Sequence, residues 1–281
     1  MNPFKHWWLS SDAADVYLPC STKANLGCGG TYHPDWDNYD FLPASGAIRK
    51  LDLSKTLPFS ELTYEACYIS HVLEHLPRQR VPSLLAELFA VLKADGILRL
   101  VVPDLENIAR LYISELEAAA AGDRSAGKRH EWMTLELVDQ MTRSFPGGFM
   151  LRTVWSRPLP QRDFIEQRVG LDGKKWIELA DGDARSPYRS VKPSEVYVVP
   201  EPIYREVARF QQTGERHRWM YDRVSLGGLL KDAGFRDVRV CSADESSIAR
   251  FADDHLDTNE AGTVRKPDSL FMEARKPLFP S

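Results

Sequence analysis

Two short segments combine glycines with a carboxylate in a pattern that suits a nucleoside ligand. The apolar run 24–26 ends at Gly27-Cys28-Gly29, and about ten residues later Asp40 closes the segment Trp36-Asp37-Asn38-Tyr39-Asp40. Glycine lets a backbone approach a ligand closely, and a carboxylate at the tip of the next strand can accept hydrogen bonds from ribose hydroxyls. The pattern therefore predicts a site for a nucleoside-type cofactor.

A dinucleotide fits this segment less well. The dinucleotide fingerprint Gly-x-Gly-x-x-Gly would need a third glycine where Tyr32 stands. Residues 31–37 contain Pro34 and little apolar periodicity, so we expect no helix there to bind a diphosphate at its N-terminus. For the motif taken alone, an ordinary glycine-rich turn stays an alternative.

A second group with chemical potential follows the apolar segment 64–70. It consists of His71, Glu74 and His75. A neutral imidazole can remove a proton from a hydroxyl near pH 7. We expect His71 to line the reaction pocket and His75 to act as the base; the alternative is that either histidine packs or caps locally.

The same residues also spell His-x-x-Glu-His, which is an inverted zinc-peptidase signature. A zinc pair of that type needs both histidines on one continuous helix and a third ligand downstream. Here a strand pattern leads directly into His71 and Pro77 follows soon after, so a long helix is not expected. The peptidase interpretation is disfavoured, and we expect no metal.

The order of apolar and polar residues predicts the elements that hold these groups. Strand and helix patterns alternate from 23 to about 120, as in βαβ units. We expect a doubly wound, mostly parallel, Rossmann-like α/β sheet with the candidate residues at its strand ends. The predicted elements are strands ending at Leu26 and Asp40, strands at 47–53, 64–70 and 97–102, a helix over 81–93 that Asp95-Gly96 terminates, and a helix capped by Asp104.

The alternation breaks between 121 and 221, where prolines, glycines, tryptophans and arginines mix. We expect a large, irregular insertion after the fifth strand, with one helix near 132–143, over the ligand edge of the sheet. The expected division is an N-terminal arm (1–22), a core (23–120 and 222–276) and the insertion (121–221). A helix capped by Ser225 and stopped at Ala233-Gly234, then an antiparallel strand pair (237–241 and 269–274), would complete the core.

The insertion carries many aromatic and guanidinium groups. They could stack on a sugar ring or an aromatic acceptor and bind acidic groups. The alternative is a small satellite core with salt bridges. The residues in question are Trp132, Arg143, Trp155, Arg157, Trp176, Tyr188, Trp219 and Tyr221.

Composition excludes several classes of protein. The net charge of -4 and the lack of a long basic run argue against a nucleic-acid partner. The four cysteines are widely spaced, which favours reduced thiols and a cytoplasmic location. No apolar stretch is long enough to predict a transmembrane segment, and we expect no signal peptide. The aromatic segment 4–9 is interpreted as an arm packed on the body, or as a membrane-surface or partner contact.

Taken together, these motifs resemble the class I S-adenosylmethionine-dependent methyltransferases. The resemblance covers about 23–120 and 222–276, and it departs from the family at Lys93-Ala94-Asp95-Gly96, where Pro-Gly-Gly is common. The motifs that carry it, in order, are Asn25-Leu26-Gly27-Cys28-Gly29, Trp36-Asp37-Asn38-Tyr39-Asp40, Leu51-Asp52-Leu53, His71-Val72-Leu73-Glu74-His75, Val101-Val102-Pro103-Asp104 and Ala233-Gly234-Phe235.

The resemblance implies S-adenosylmethionine as cofactor and methyl transfer to a small acceptor, with O-methylation of a sugar or natural-product hydroxyl as the expected reaction. A non-catalytic module that binds the cofactor or its product is the alternative, and homo-oligomerisation is left open. The expected catalytic residues are His71 and His75. The expected cofactor-binding residues are Asn25, Leu26, Gly27, Cys28, Gly29, Asp40, Asp52, Leu53, Ser70 and His71.

Overall fold

The computed structural model describes residues 19–156, 158–182, 208–210 and 214–278. Seven strands form one sheet in the order β3-β2-β1-β4-β5-β7-β6. The strands are β1 (Lys23–Leu26), β2 (Asp37–Asp40), β3 (Ile48–Lys50), β4 (Tyr64–Ser70), β5 (Leu92–Pro103), β6 (Arg236–Cys241) and β7 (Ser269–Arg275).

The strand directions confirm the predicted fold class. Strands β1 to β5 are mutually parallel, whereas β7 runs antiparallel to both β5 and β6. The central strands β4 and β5 are buried along most of their length, which explains their largely apolar sequences. As expected from Pro34, the connection from β1 to β2 contains no helix.

One face of the sheet is covered by α1 (Arg80–Val91) and α6 (Arg223–Asp232). Leu84, Leu88 and Leu230 are fully buried in this layer, at the helical spacing that the sequence predicts. The opposite face is covered by the segment between β6 and β7, in which Phe251 packs edge-on against Trp36 and at a tilt against Tyr68.

The chain between β5 and α6 is more helical than predicted. It forms α2 (Leu105–Ala120), α3 (Arg124–Thr142), α4 (Gly148–Val154) and α5 (Arg162–Gly182). Asp123 caps α3 by accepting hydrogen bonds from two backbone N–H groups, a local signal that the sequence interpretation missed. These helices share a small core that includes Trp132, Met133 and Ile165.

Two predicted helix ends need correction. Helix α1 ends at Val91 rather than at Asp95-Gly96, because Leu92 is already extended and enters β5. Helix α6 is capped by Asp222, and Ser225 completes a capping box from the third helical position. The predicted cap at Asp104 is confirmed, since its side chain accepts a hydrogen bond from the backbone N–H of Asn107 at 3.1 Å.

An ion-pair network that includes one residue of β5 and one of β7 is buried in the protein. The Arg99 side chain is fully buried, and its Nε donates to Asp257 Oδ2 at 2.8 Å while its Nη1 donates to Glu273 Oε1 at 3.0 Å. Further donors reach the same carboxylates, including the Tyr68 hydroxyl on Asp257 and the Ser247 N–H on Glu273. We call Arg99, Asp257 and Glu273 the arginine network.

The remaining expectations concern the cysteines, a membrane-spanning segment and the aromatic N-terminal segment. All four cysteines are free thiols, as expected. Within the described ranges, no helix is long and apolar enough to cross a membrane. The aromatic segment 4–9 lies outside the described residues.

Candidate functional site

The carboxyl ends of β1, β2 and β4 lie side by side. Leu26 pairs with Tyr39 on β2 and with Ile69 on β4, so the residues just beyond these pairs meet at one edge of the sheet. Those residues are Gly27, Asp40 and Ser70. The sheet thus brings together three of the residues that the sequence predicts to bind a cofactor.

The glycine turn after β1 depends on the absence of side chains. Gly27 has φ +77°, and a Cβ there would lie 2.3 Å from Val72 Cγ2. Gly29 has φ +54°, and no atom lies within 4 Å of the position that a Cβ would occupy, so this side of the residue faces open space. Glycine at 27 permits the close approach of the β1 and β4 turns, and glycine at 29 leaves its backbone open to a ligand.

Asp40 anchors this turn. Its Oδ2 accepts a hydrogen bond from the Gly29 N–H at 2.8 Å, and its Oδ1 accepts one from the Leu42 N–H at 2.8 Å. The residue is only partly buried. A carboxylate offers about four lone-pair directions, so Asp40 can accept further hydrogen bonds from a ligand.

Asn25, Leu26 and Cys28 are buried behind the turn. The Asn25 amide nitrogen donates to the Thr31 carbonyl at 3.1 Å and to Asn38 Oδ1 at 3.2 Å. These three residues therefore hold the loop in place from behind.

Asp52 and Leu53 follow β3 beside Asp40. The backbone N–H of Leu51 donates to the Asp40 carbonyl at 2.9 Å, which fixes the two segments together. Asp52 Oδ1 accepts hydrogen bonds from the Ser54 N–H at 3.0 Å and from its hydroxyl at 2.6 Å, while Leu53 is buried. Asp52 is thus near the predicted site and also performs the turn-forming role that aspartate often has.

His71 lies at the end of β4 in a left-handed backbone conformation with φ +53°. Its N–H donates to the Val101 carbonyl at 2.9 Å, and its Nε2 is 2.8 Å from Ser269 Oγ on β7. Burial lowers the pKa of His71 well below its usual value, and the Lys266 charge lowers it further. The imidazole is therefore neutral at pH 7.

The next residues form a single 3-10 turn, Leu73–His75, that places Glu74 and His75 beside His217. The rings of His75 and His217 meet edge-on with centroids 4.7 Å apart. Glu74 is fully buried, and its Oε1 is 3.3 Å from His71 Nδ1 and 3.9 Å from His75 Nε2. We call Glu74, His75 and His217 the Glu-His-His cluster.

Burial dominates the electrostatics of this cluster. It raises the pKa of Glu74 to about 8 and lowers the pKa of His75 to about 4 and that of His217 to about 2. Both histidines are consequently neutral at pH 7 and can accept a proton or bind a cation through a ring nitrogen.

His217 reaches the cluster through backbone contacts of its own segment. The His217 N–H donates to the Gln140 carbonyl on α3 at 3.0 Å, and the Arg218 N–H donates to the Glu74 carbonyl at 2.6 Å. Sequence reasoning missed His217, because no spacing rule links it to His75. It also missed Lys266, whose pKa is lowered by burial despite the opposing charge of Glu74.

Helix α5 docks on the segment that carries Lys266. The helix kinks at Gly170, where φ is +59° and a Cβ would lie 2.3 Å from Pro267 Cδ. On the same helix, Arg168 forms a buried ion pair with Glu136 of α3 at 2.6 Å. Helix α5 thus packs beside the amino end of β7, which pairs with the carboxyl end of β5.

The structure does not have the geometry of an inverted zinc peptidase. His71 follows directly on a strand end, and His75 belongs to a single 3-10 turn. The two histidines do not share a continuous helix, which the peptidase site requires.

The predicted aromatic set of the insertion is dispersed. Trp132 is buried in the helical core and donates to Glu136 Oε1 at 2.5 Å, whereas Trp176 is about half exposed. Trp219 stacks with Arg78, whose guanidinium carbon is 4.0 Å from a ring centroid. Tyr221 is buried near Glu74, while Arg157 and Tyr188 lie outside the described residues.

Part of the sequence matches a family of known proteins. Residues 37–100 match a family model that is described as a methyltransferase domain. The matched segment runs from β2 into β5 and includes Asp40, Asp52, His71 and the first two members of the Glu-His-His cluster. No curated protein matches the sequence.

Three solved structures illustrate the similarity at the level of coordinates. An S-adenosylmethionine-dependent methyltransferase from Methanosarcina mazei is 12% identical with TM-score 0.38, over 94% of this chain and 96% of its own. A second such enzyme, from Archaeoglobus fulgidus, is 12% identical with TM-score 0.36, over 92% of this chain and 86% of its own. A third, from Mesorhizobium loti, is 13% identical with TM-score 0.35, over 92% of this chain and 93% of its own. Likeness at this level carries no information about the acceptor.

Proposed function

We propose that this chain is a class I S-adenosylmethionine-dependent methyltransferase and transfers a methyl group from S-adenosylmethionine to a hydroxyl of a small acceptor such as a sugar or natural product; the methyltransferase-domain match over 37–100 and the strand order of the sheet support the family. The observation that carries the proposal is the junction of the Gly27–Gly29 turn with Asp40, where the Gly29 N–H meets the carboxylate at 2.8 Å. This junction stands at the carboxyl edge of three adjacent parallel strands, where α/β sheets bind nucleosides.

The residues present fit this cofactor. The open backbone at Gly29 suits the amino-acid tail, and the remaining lone pairs of Asp40 suit the ribose hydroxyls. Asp52 and Leu53 would provide a carboxylate and an apolar wall for adenine. Ser70 and His71 would line the reacting end. Asn25, Leu26 and Cys28 would support the turn from behind.

When bound, S-adenosylmethionine supplies a methyl group that a positive sulfur has already activated. The protein's main tasks are therefore to align the acceptor and to accept its proton. His71 and His75 are neutral at pH 7, so either can accept that proton. We assign His75 as the base and His71 as a pocket residue that Ser269 orients.

Buried polar groups close to His75 support a hydroxylated acceptor. Glu74, His217 and Tyr221 present buried oxygen and nitrogen atoms at the carboxyl edge of β4. Unsatisfied polar atoms favour a ligand that can hydrogen-bond with them over an apolar one.

A product assay tests the proposal. The full chain is incubated with S-adenosylmethionine carrying a deuterated methyl group and with pools of hydroxylated and amine acceptors, and labelled products are detected by mass spectrometry. We expect label on a hydroxylated acceptor and a loss of about 100-fold or more in turnover for His75→Ala. Label only on amines would contradict the acceptor class, and cofactor binding without any turnover would favour a non-catalytic module.

A further inference from the structure

The Glu-His-His cluster has more donor atoms than the proposed methyl transfer requires. One ligand atom from each of Glu74, His75 and His217 lies within 4.8 Å of the other two. We propose that these three side chains bind a divalent transition-metal ion such as Zn²⁺ or Mn²⁺. The sequence alone led us to expect no metal.

The first support is that the donor atoms are buried without partners. Among the described residues, neither carboxylate oxygen of Glu74 has a hydrogen-bond partner, and Nδ1 of His217 also lacks one; the His75 nitrogen nearest Glu74 Oε1 is Nε2, at 3.9 Å. Buried polar atoms are nearly always satisfied, because leaving one unpaired costs free energy. A cation beside Glu74 would satisfy its carboxylate and would also bind one ring nitrogen from each histidine.

The second support is the chemistry of the donor set. Two imidazoles and one carboxylate form the ligand set of many catalytic zinc and non-haem iron sites. Calcium and magnesium prefer oxygen ligands instead. Ligand bonds of about 2.1 Å would place the donors roughly 3.4 Å apart in a tetrahedral site, so small side-chain rotations from 4.8 Å suffice.

The third support is the rigidity of the backbone that holds the donors. The Arg218 N–H donates a hydrogen bond to the Glu74 carbonyl, and the His217 N–H donates one to the Gln140 carbonyl of α3, so both hold the His217 segment in place.

Two cations oppose metal binding: Lys266 and Arg143 are close enough to lower the pKa of His75. Arg143 is paired with Glu215 at 3.2 Å, and we expect micromolar rather than nanomolar affinity.

The role of the metal rests on the proposed function. Three protein ligands leave at least one coordination position open, as in catalytic metal sites. An acceptor hydroxyl bound there would have a lowered pKa and would release its proton to water. In that case His75 is a metal ligand rather than the base, and His71 is the neutral imidazole beside the acceptor.

The test is metal binding by the full chain after chelator treatment. Zn²⁺ and Mn²⁺ are titrated by calorimetry, and Co²⁺ is titrated by visible absorption, which reports nitrogen and oxygen ligation directly. We expect one ion per chain for the wild type and at least tenfold weaker binding for Glu74→Gln and His217→Asn. The matched control is His130→Asn, because His130 Nε2 is also buried without a partner but belongs to α3 away from the cluster.

The outcomes separate the metal site from the proposed function. No binding by the wild type, or equal binding by wild type, Glu74→Gln and His217→Asn, would overturn the site; equal binding would place the ion elsewhere, for example at the exposed Cys20. Thermal unfolding without metal checks that the variants fold, and Glu74→Asp, which keeps the carboxylate, provides a second variant. S-adenosylhomocysteine is titrated in parallel, so loss of its binding would instead count against the proposed function.

Discussion

The molecule buries ionisable groups in two places and treats them differently in each. In the arginine network, the fully buried Arg99 donates to Asp257 and Glu273 at 2.8 and 3.0 Å, and three backbone carbonyls accept its remaining N–H groups at 2.9, 3.0 and 3.4 Å. In the Glu-His-His cluster, the equally buried Glu74 has no hydrogen bond to either carboxylate oxygen within the described part of the chain.

This difference in hydrogen bonding suits a structural role for the arginine network and a ligand-binding role for the Glu-His-His cluster. A saturated buried network fixes the loops between β6 and β7 against the sheet and leaves no capacity for a ligand. An unsaturated buried carboxyl group lowers stability unless something binds it, so it persists where binding matters. The arginine network lies between the sheet and the segment that joins β6 to β7, whereas the Glu-His-His cluster lies just beyond the carboxyl end of β4.

The largest expected effect comes from breaking the arginine network. Arg99→Met leaves Asp257 and Glu273 without their buried cation, and we expect the free energy of unfolding to fall by about 3 to 5 kcal/mol in urea titrations. Arg110→Met is the control, because Arg110 pairs with Glu106 on the surface and should contribute under about 1 kcal/mol. Equal losses for the two variants would remove the distinction.

The next effect concerns the backbone of the site. Gly27→Ala combines a φ of +77° with a Cβ 2.3 Å from Val72, so we expect a loss of roughly 2 to 4 kcal/mol and weaker cofactor binding. Gly30→Ala has open space around its Cβ and should leave both quantities nearly unchanged. Val72→Ala should restore part of the loss, and its failure to do so would exclude the contact as the cause.

Smaller changes in the free energy of unfolding are expected when Glu273 and Glu74 are each replaced by glutamine. Glu273→Gln removes a charge that accepts from Arg99, Arg239 and the Ser247 N–H, and should cost about 1.5 to 3 kcal/mol. Glu74→Gln replaces a carboxyl group that burial already keeps largely protonated at pH 7, so in metal-free protein it should be neutral or stabilising. A larger loss at Glu74 than at Glu273, measured by urea unfolding at pH 7, would contradict the comparison.

The smallest effect is a pH dependence of the network. Burial raises the pKa of Glu273, but hydrogen bonds from Ser246 and Ser247 and the charge of Arg99 bring it below its usual value. The stabilisation it provides is present above the unfolded pKa and is lost as the pH falls through the folded pKa. The difference in unfolding free energy between wild type and Glu273→Gln should therefore shrink below about pH 4, and a constant difference down to pH 3 would refute this.

Local patterns predicted the parts of the fold that local physics determines. The strand predicted for 64–70 is β4, and the leucines at helical spacing, Leu84 and Leu88, form part of the buried face of α1. Asp104 caps α2 as predicted. Glycine and aspartate positions at strand ends predicted that the turn after β1 meets Asp40, and the Gly29 N–H donates to that carboxylate, because parallel strands bring their carboxyl ends together.

Long-range contacts could not be read in the same way. His217 reaches His75 through a backbone bond between its own segment and Glu74, and Lys266 reaches the same edge through the docking of α5 at Gly170. Neither position carries a periodicity or a spacing that points to its partner. The helices of 124–182 were underestimated because prolines and glycines between them obscured caps such as Asp123.

The most direct test of the account is calorimetric titration of S-adenosylhomocysteine into the wild type, Asp40→Ala and Asp35→Ala. We predict one site per wild-type chain, and a dissociation constant roughly 5- to 150-fold larger for Asp40→Ala, which corresponds to about 1 to 3 kcal/mol of lost hydrogen bonding to ribose. Asp35→Ala, an exposed change in the loop before β2, should bind like the wild type. No binding by the wild type, or an unchanged dissociation constant for Asp40→Ala, would contradict the assignment of this edge as the cofactor site.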